Sequence, residues 1–183
     1  VGKRSNFERI ARDFYPTPIE VVEPLIHHLP MGNFNYVEPC AGDGRLIRHL
    51  KELTDGLAEC IYASDIEPRA KGIDERSAIG LHFGEEANSL IDFCITNPPW
   101  DRNFLHSFID HWSNICPTWI VFDADWMHTK QSAALMTYCK KVVSVGRVKW
   151  IEGSKMTGKD NCAWYLFDAN YRAPYTEFYG RLM

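Results

Sequence analysis

Apolar runs alternate with stretches of helical periodicity along most of the 183 residues. Residues 19–28 read as a helix opened by Pro18, residues 36–38 as a short strand, and residues 44–53 as a helix after a glycine turn. Residues 61–64 form the next strand, and residues 91–96 read as a strand buried on both faces. An amphipathic helix over 103–113 follows, then a strand over 118–123 and a helix over 131–139. Residues 142–150 and 163–167 are strands joined by the polar, glycine-containing segment 152–161, and such a late pair predicts an antiparallel hairpin. In residues 69–90 a short strand is needed, near Ile73 or within 79–83, and the pattern does not fix which. The tail from Asn170 carries Tyr171, Tyr175, Phe178 and Tyr179. So many aromatics are costly to expose, and the tail is expected to pack back onto the body. The alternation predicts an α/β fold with a largely parallel sheet.

Composition narrows this picture. A chain with 45% hydrophobic and 24% charged residues fits one soluble globular domain. No apolar run approaches the roughly 18–20 residues of a membrane span. The opening Val-Gly-Lys-Arg-Ser-Asn is not followed by an apolar h-region, so no secretory signal is expected. Cys40, Cys60, Cys94, Cys116, Cys139 and Cys162 form no C-x-x-C pair, and they read as reduced, mostly buried thiols in a reducing cytoplasm. No zinc-site spacing is present, and no metal is expected. The net charge of −4 argues against a surface that grips nucleic acid all round. It leaves room for a local basic patch, of which Arg147, Lys149, Lys155 and Lys159 are the densest late candidate.

Candidate chemistry centres on Asn97-Pro98-Pro99-Trp100, which ends the strand over 91–96. Two prolines stiffen the backbone and remove two N–H donors, while their carbonyl oxygens still accept. Asn97 adds a side-chain carbonyl and Trp100 a flat apolar face. Such a cluster suits an exocyclic –NH₂ on a planar ring, for example N6 of adenine. The competing reading is a Pro-Pro turn with Trp100 in the core.

Upstream, residues 37–46 run strand, glycine turn, helix. Gly42 and Gly44 allow a tight turn and close backbone approach to a ligand. Position 47 is Ile, so the dinucleotide pattern G-x-G-x-x-G fails. Glu38 at the strand tip would repel a pyrophosphate and suits an ammonium or sulfonium charge. Asp65, with Ile66 beside it, ends the second strand in an acid able to accept both ribose hydroxyls, and Glu67 is the alternative acid.

In this order the elements resemble a class I S-adenosylmethionine-dependent methyltransferase of the amino-methylating DNA group, above all the small adenine-N6 enzymes of phages and prophages. Tyr15-Pro16-Thr17-Pro18 is similar to the Thr-Pro element that contacts the cofactor's methionine end. Glu38 to Gly44, including Cys40 and Ala41, resembles the glycine-rich first motif, Asp65 the ribose acid, and Asn97 to Trp100 the catalytic (N/D)-P-P-(Y/F/W) signature. Residues 146–167 look like the late hairpin of the phage enzymes.

The resemblance implies a Rossmann-like fold with a mostly parallel seven-stranded sheet. The length reads as a single domain over residues 1–183, and the chain departs from the family in having no segment long enough for a separate target-recognition domain, so target specificity would have to come from loops or a partner. It implies S-adenosylmethionine as cofactor, bound by Tyr15, Thr17, Pro18, Glu38, Cys40, Ala41, Gly42, Gly44, Asp65, Ile66 and Asn97. It implies methyl transfer to adenine in DNA by Asn97, Pro98, Pro99 and Trp100, in a bacterial host cytoplasm, with protection of a phage genome from restriction as the purpose. Trp100 would stack on the target base, with Phe14, Tyr15, Trp126 or Trp150 as candidate second face. Lys149 and Lys155 would meet phosphates, or else line a solvated hairpin face. Asp123, at the end of the strand over 118–123, reads as structural support.

The acid expected to bind the cofactor's adenine does not read cleanly, with Ser77, Glu85 and Asp92 standing in the relevant stretch. RNA adenine, a protein glutamine amide, and an inactive cofactor-fold binding module are the alternative functions.

Overall fold

The computed structural model describes residues 14–151, 157–171 and 175–181. Its strands are β1 (Phe34–Glu38), β2 (Ala58–Asp65), β3 (Asp74–Glu75), β4 (Phe93–Thr96), β5 (Thr118–Asp123), β6 (Cys139–Arg147), β7 (Asn161–Phe167) and β8 (Glu177–Tyr179). They form one eight-stranded sheet in the order β3-β2-β1-β4-β5-β7-β6-β8. Only β7 runs against its neighbours, antiparallel to both β5 and β6. The chain reverses direction across the sheet between β1 and β4, and the crevice at such a switch point is where open α/β sheets take ligands.

Helices cover both faces. On one face α1 (Ile19–Ile26) and α2 (Arg45–Leu53) bury Val21, Val22, Leu25, Leu46 and Leu50 against Phe34, Tyr36, Trp119 and Trp164. The Trp164 indole N–H donates to the Val21 carbonyl at 2.7 Å, which fixes α1 against β7. The one-turn helix α3 (Glu85–Asn88) precedes β4, and on the other face α4 (Arg102–Ser113) lays Leu105, Phe108, Ile109 and Trp112 onto Ile120, Phe122, Tyr165 and Phe167. The spacing of those four residues is one helical stripe. Asp101 starts α4 by accepting the Phe104 N–H at 3.0 Å, a cap that contributes about 1 kcal/mol.

Among the described residues the sheet has eight strands where seven were expected. The addition is β8, from the aromatic tail, parallel to β6. The tail therefore does return to the body, yet Tyr175, Phe178 and Tyr179 stay exposed on its edge. The strand expected near Ile73 is the two-residue β3, held only against Ser64 and Asp65. Its residues are charged and exposed, so no apolar pattern could announce it.

The helix expected over 131–139 shrinks to α5 (Ala133–Met136), because Cys139 already opens β6. β6 in turn ends at Arg147, where Gly146 adopts φ +88 and the register with β7 shifts. Trp150 consequently lies beyond the strand. All six cysteines are free.

Candidate active site

The carboxyl ends of β1, β2 and β4, parallel neighbours in the sheet, lie side by side at the switch point. After Glu38 the chain turns through Gly42 (φ +52) and Gly44 (φ +72), left-handed conformations that favour glycine, and enters α2. The turn is tied to β2. The Gly42 N–H donates to Asp65 Oδ2 at 2.8 Å, and the Ala41 N–H to the Ser64 carbonyl at 2.9 Å. Asp65 Oδ1 accepts the Glu67 N–H at 2.8 Å. Each carboxylate oxygen has a second lone pair, so Asp65 still has capacity to accept. Cys40 is half-buried, and Ile66 is exposed beside Asp65.

Glu38 is the electrostatic anomaly of the crevice. It is 2% exposed and its Oε2 has no hydrogen-bond partner. Burial first, then the charges of Asp65 and Asp43, push its carboxyl well above the usual carboxylate range. A buried acid beside two further acids, with an unused oxygen, could accept from a cationic ligand.

The Phe14 ring covers the glycine turn. A Cβ on Gly42 would sit 2.7 Å from Phe14 Cε2, and the Arg69 guanidinium lies 3.9 Å from the centre of the same ring. The Arg69 N–H also donates to the Gly42 carbonyl at 2.9 Å. Phe14 thus belongs to the glycine side of the crevice, and the sequence offered it only as a face for a target base. Its position directly before Tyr15-Pro16-Thr17-Pro18 was the available signal.

Asn97 joins the two halves. Its Nδ2 donates to the Tyr15 carbonyl and to Thr17 Oγ1, both at 3.2 Å, and its Oδ1 accepts the Trp100 indole N–H at 3.3 Å. Thr17 is buried, and Pro18 leads into α1 in an extended conformation. Pro98 is buried, while Pro99 and Trp100 are half-buried. Trp100 meets Phe122 and Trp150 edge-on, each at 5.5 Å between ring centres. Gly158 sits close to Trp150: its N–H donates to the Val148 carbonyl at 2.7 Å, and a Cβ there would lie 3.4 Å from the Trp150 ring. The structure therefore brings Trp150 to Trp100.

Trp126 is a correction. It is 1% exposed, its indole N–H donates to His106 Nε2 at 3.2 Å, and Phe122, Tyr165 and Phe167 surround its ring. No face is left for a base. Asp123 is half-buried, and burial raises its carboxyl above the usual range. Its Oδ1 accepts the Asp125 N–H at 2.9 Å, so it shapes the turn after β5.

Lys149 is exposed on the hairpin, and Lys155 lies outside the described residues. Of the three residues weighed for the cofactor's adenine, Asp92 lies elsewhere, since its Oδ2 accepts the Asn35 N–H at 2.7 Å near the amino end of β1. Ser77 follows Arg76, whose N–H donates to the Asp65 carbonyl at 2.9 Å, and so stands at the crevice end of β2. Among the described residues no three His, Cys, Asp or Glu side chains gather as a metal site, and no helix is long and apolar enough to cross a membrane.

The fold agrees with that of solved structures. The chain has the class I methyltransferase fold. The methyltransferase subunit of a type I restriction-modification system from Streptococcus thermophilus matches at TM-score 0.52 and 10% identity, over 84% of this chain and 43% of that one. A dimethyladenosine transferase from Plasmodium falciparum matches at 0.54 and 16%, over 85% and 62%. The 23S rRNA methyltransferase ErmE matches at 0.56 and 10%, over 87% and 71%. This chain thus spans less than two thirds of the first two of these methyltransferases. No family model matches its sequence, and no curated protein does either.

Proposed function

We infer that the protein transfers a methyl group from S-adenosylmethionine to the exocyclic amine of adenine in DNA. The observation that carries this reading is the fixed position of Asn97, bonded to Tyr15 and Thr17 at the end of β4 and next to the Glu38-lined glycine turn. The residues fit the cofactor. Glu38, buried with an unpartnered oxygen, matches its positive charge, and Asp65 retains lone pairs for ribose hydroxyls. Tyr15, Thr17 and Pro18 would flank its methionine end, and Cys40, Ala41, Gly42, Gly44 and Ile66 would line the rest. When bound, S-adenosylmethionine supplies an electrophilic methyl group on a sulfonium.

The chain's own work is to prepare the nucleophile. The amine lone pair of adenine is conjugated into the ring. Asn97 Oδ1 and the Pro98 carbonyl would each accept one amine N–H, which favours a tetrahedral nitrogen and frees the lone pair. These acceptors also stabilise the positive charge that builds on nitrogen. Pro98 and Pro99 keep them from reorganising. The Trp100 indole, now bonded to Asn97 Oδ1, would turn to stack on the base. Trp150, edge-on to Trp100, would supply the second face.

Lys149 and Lys155 are assigned to phosphates. Target choice would rest on the loops around β4, β6 and β7 within one domain, and the setting we assign is a bacterial host cytoplasm. The restriction-modification neighbour favours DNA, and the 23S rRNA methyltransferase makes RNA adenine the second reading.

Tritiated cofactor tests the proposal on duplex DNA, single-stranded DNA and RNA in parallel. Label is expected as N6-methyladenine in DNA, and Asn97→Ala should abolish it while calorimetry still detects cofactor binding. Label on RNA alone would favour the second reading, and label in a protein amide would overturn both.

A further inference from the structure

β8 ends the sheet, and no strand among the described residues pairs with its outer side. Glu177 and Tyr179 share the α1 face, where the Tyr179 ring lies 4.3 Å from His28 and Glu177 Oε2 lies 3.8 Å from Lys141 Nζ. Phe178 points to the opposite face and is 62% exposed. Natural edge strands are blunted by shortness, by charges, above all Lys, by Pro or by a bulge, and β8 is three residues long with Glu177 its one charge. The run Thr176-Glu177-Phe178-Tyr179-Gly180-Arg181 contains neither Lys nor Pro, and β8 pairs with β6 in continuous register. A side chain on Gly180, the residue after β8, would meet nothing within 4 Å, so in an extended chain a large ring and an open gap stand two residues apart on one face.

We propose that β8 is the pairing edge for β8 of a second copy of this chain, antiparallel about a two-fold axis at Tyr179. That register sets Glu177 opposite Arg181 of the partner subunit, twice by symmetry. It sets Phe178 opposite Gly180 of the partner subunit, where the open space receives the ring, a pairing known to compensate glycine on sheet edges. No like charges face each other. The Arg181 side chain, two residues beyond β8, rests on Gly146 of β6. Centring the axis on Phe178 instead sets Glu177 against Tyr179 and Arg181 against Tyr175, with no ion pair formed. A cross-strand pair of opposite charges adds stability and its reversal subtracts it. The second copy also covers aromatic surface that the monomer leaves in water, which accounts for a tail that returns to the body without burying its rings. The proposal does not depend on the methyl-transfer reading.

Sedimentation equilibrium of the whole chain, from low micromolar to several hundred micromolar, tests it. A monomer–dimer equilibrium weakened by salt is expected. Arg181→Glu and Glu177→Arg should each weaken it about tenfold, since two ion pairs become two repulsions. Mixing the two variants should restore it, because each then supplies the charge the other lacks. A chain that stays monomeric throughout, or a dimer indifferent to Arg181→Glu at unchanged Tm, overturns the proposal. Should Glu177→Arg fail to fold, Glu177→Gln must still weaken the dimer, and an unchanged dissociation constant overturns it equally.

Discussion

Thr17 Oγ1 accepts a hydrogen bond from Asn97 Nδ2 at 3.2 Å, joining the chain just before α1 to the end of β4 across 80 residues of sequence. The Tyr15 carbonyl accepts from the same nitrogen, so the amide is held with its oxygen turned toward Trp100. Thr17→Val keeps the shape and removes the acceptor. We expect kcat to fall about tenfold, the equivalent of one modest hydrogen bond, with cofactor affinity changed little. Thr17→Ser should recover most of the rate. A full rate in Thr17→Val with a loss in Thr17→Ser would mean that the methyl packing, and not the hydrogen bond, matters.

Glu38 gives a pH signature. Unfolded, its carboxyl ionises near the ordinary value of about 4.3. In the fold, burial and then Asp65 and Asp43 keep it protonated to higher pH. Between the two values the folded state holds the extra proton. Its contribution is therefore complete below the unfolded value and is lost as pH rises through the folded one. Glu38→Gln should raise the Tm of the ligand-free protein at the alkaline end of a scan and flatten its pH dependence. The same change should weaken binding of the cationic cofactor, and wild-type binding should release protons, read as a dependence of calorimetric heat on buffer. A Tm profile identical to wild type would remove Glu38 from this role.

Gly42 answers to two demands at once, a left-handed backbone and the Phe14 ring against its α-carbon. Gly42→Ala should cost about 1–3 kcal/mol in urea unfolding. Adding Phe14→Ala removes the steric part, so the double variant should be less destabilised than the sum of the two. Strict additivity would mean that the ring does not press on the turn. Phe14→Ala alone should speed cofactor association, because the ring covers the turn the cofactor would approach.

These contacts mark what a sequence can carry. β5 was legible to the residue because its run from Thr118 to Asp123, opened after Pro117, is buried almost throughout. The glycine turn, Asp65 and Asn97 were legible as types at strand ends. β3 was not, since Asp74 and Glu75 bury nothing. Trp126 misled because it follows a strand's carboxyl end, and only the short 3-10 turn of Ala124–His128 folds it down onto Tyr165. Gly42 read as room for a ligand, whereas part of that room belongs to a ring 28 residues earlier. Periodicity reports which face is buried, and it is silent on which distant side chain arrives there.

Trp100 and Trp150 offer the sharpest test of how the base is held. Their edge-on contact at 5.5 Å leaves no parallel slot between them, so a base can enter only if one ring turns. Trp100 would have to give up its bond to Asn97 Oδ1 to do so, which frees that oxygen as the base arrives. Trp100→Phe lacks the indole N–H and keeps an aromatic face. It should retain stacking, and its Asn97 should be available from the start, so the rate should hold within a few-fold. Trp100→Ala removes the face and should cost about 1–3 kcal/mol in kcat/KM, the value of one stacked base, without loss of cofactor affinity. Trp150→Ala should raise KM more than it lowers kcat, since it touches the base and not the reacting nitrogen. Steady-state kinetics on an oligonucleotide separates these outcomes, and equal effects of Trp100→Phe and Trp100→Ala would show that the indole nitrogen, not the ring, is what the site uses.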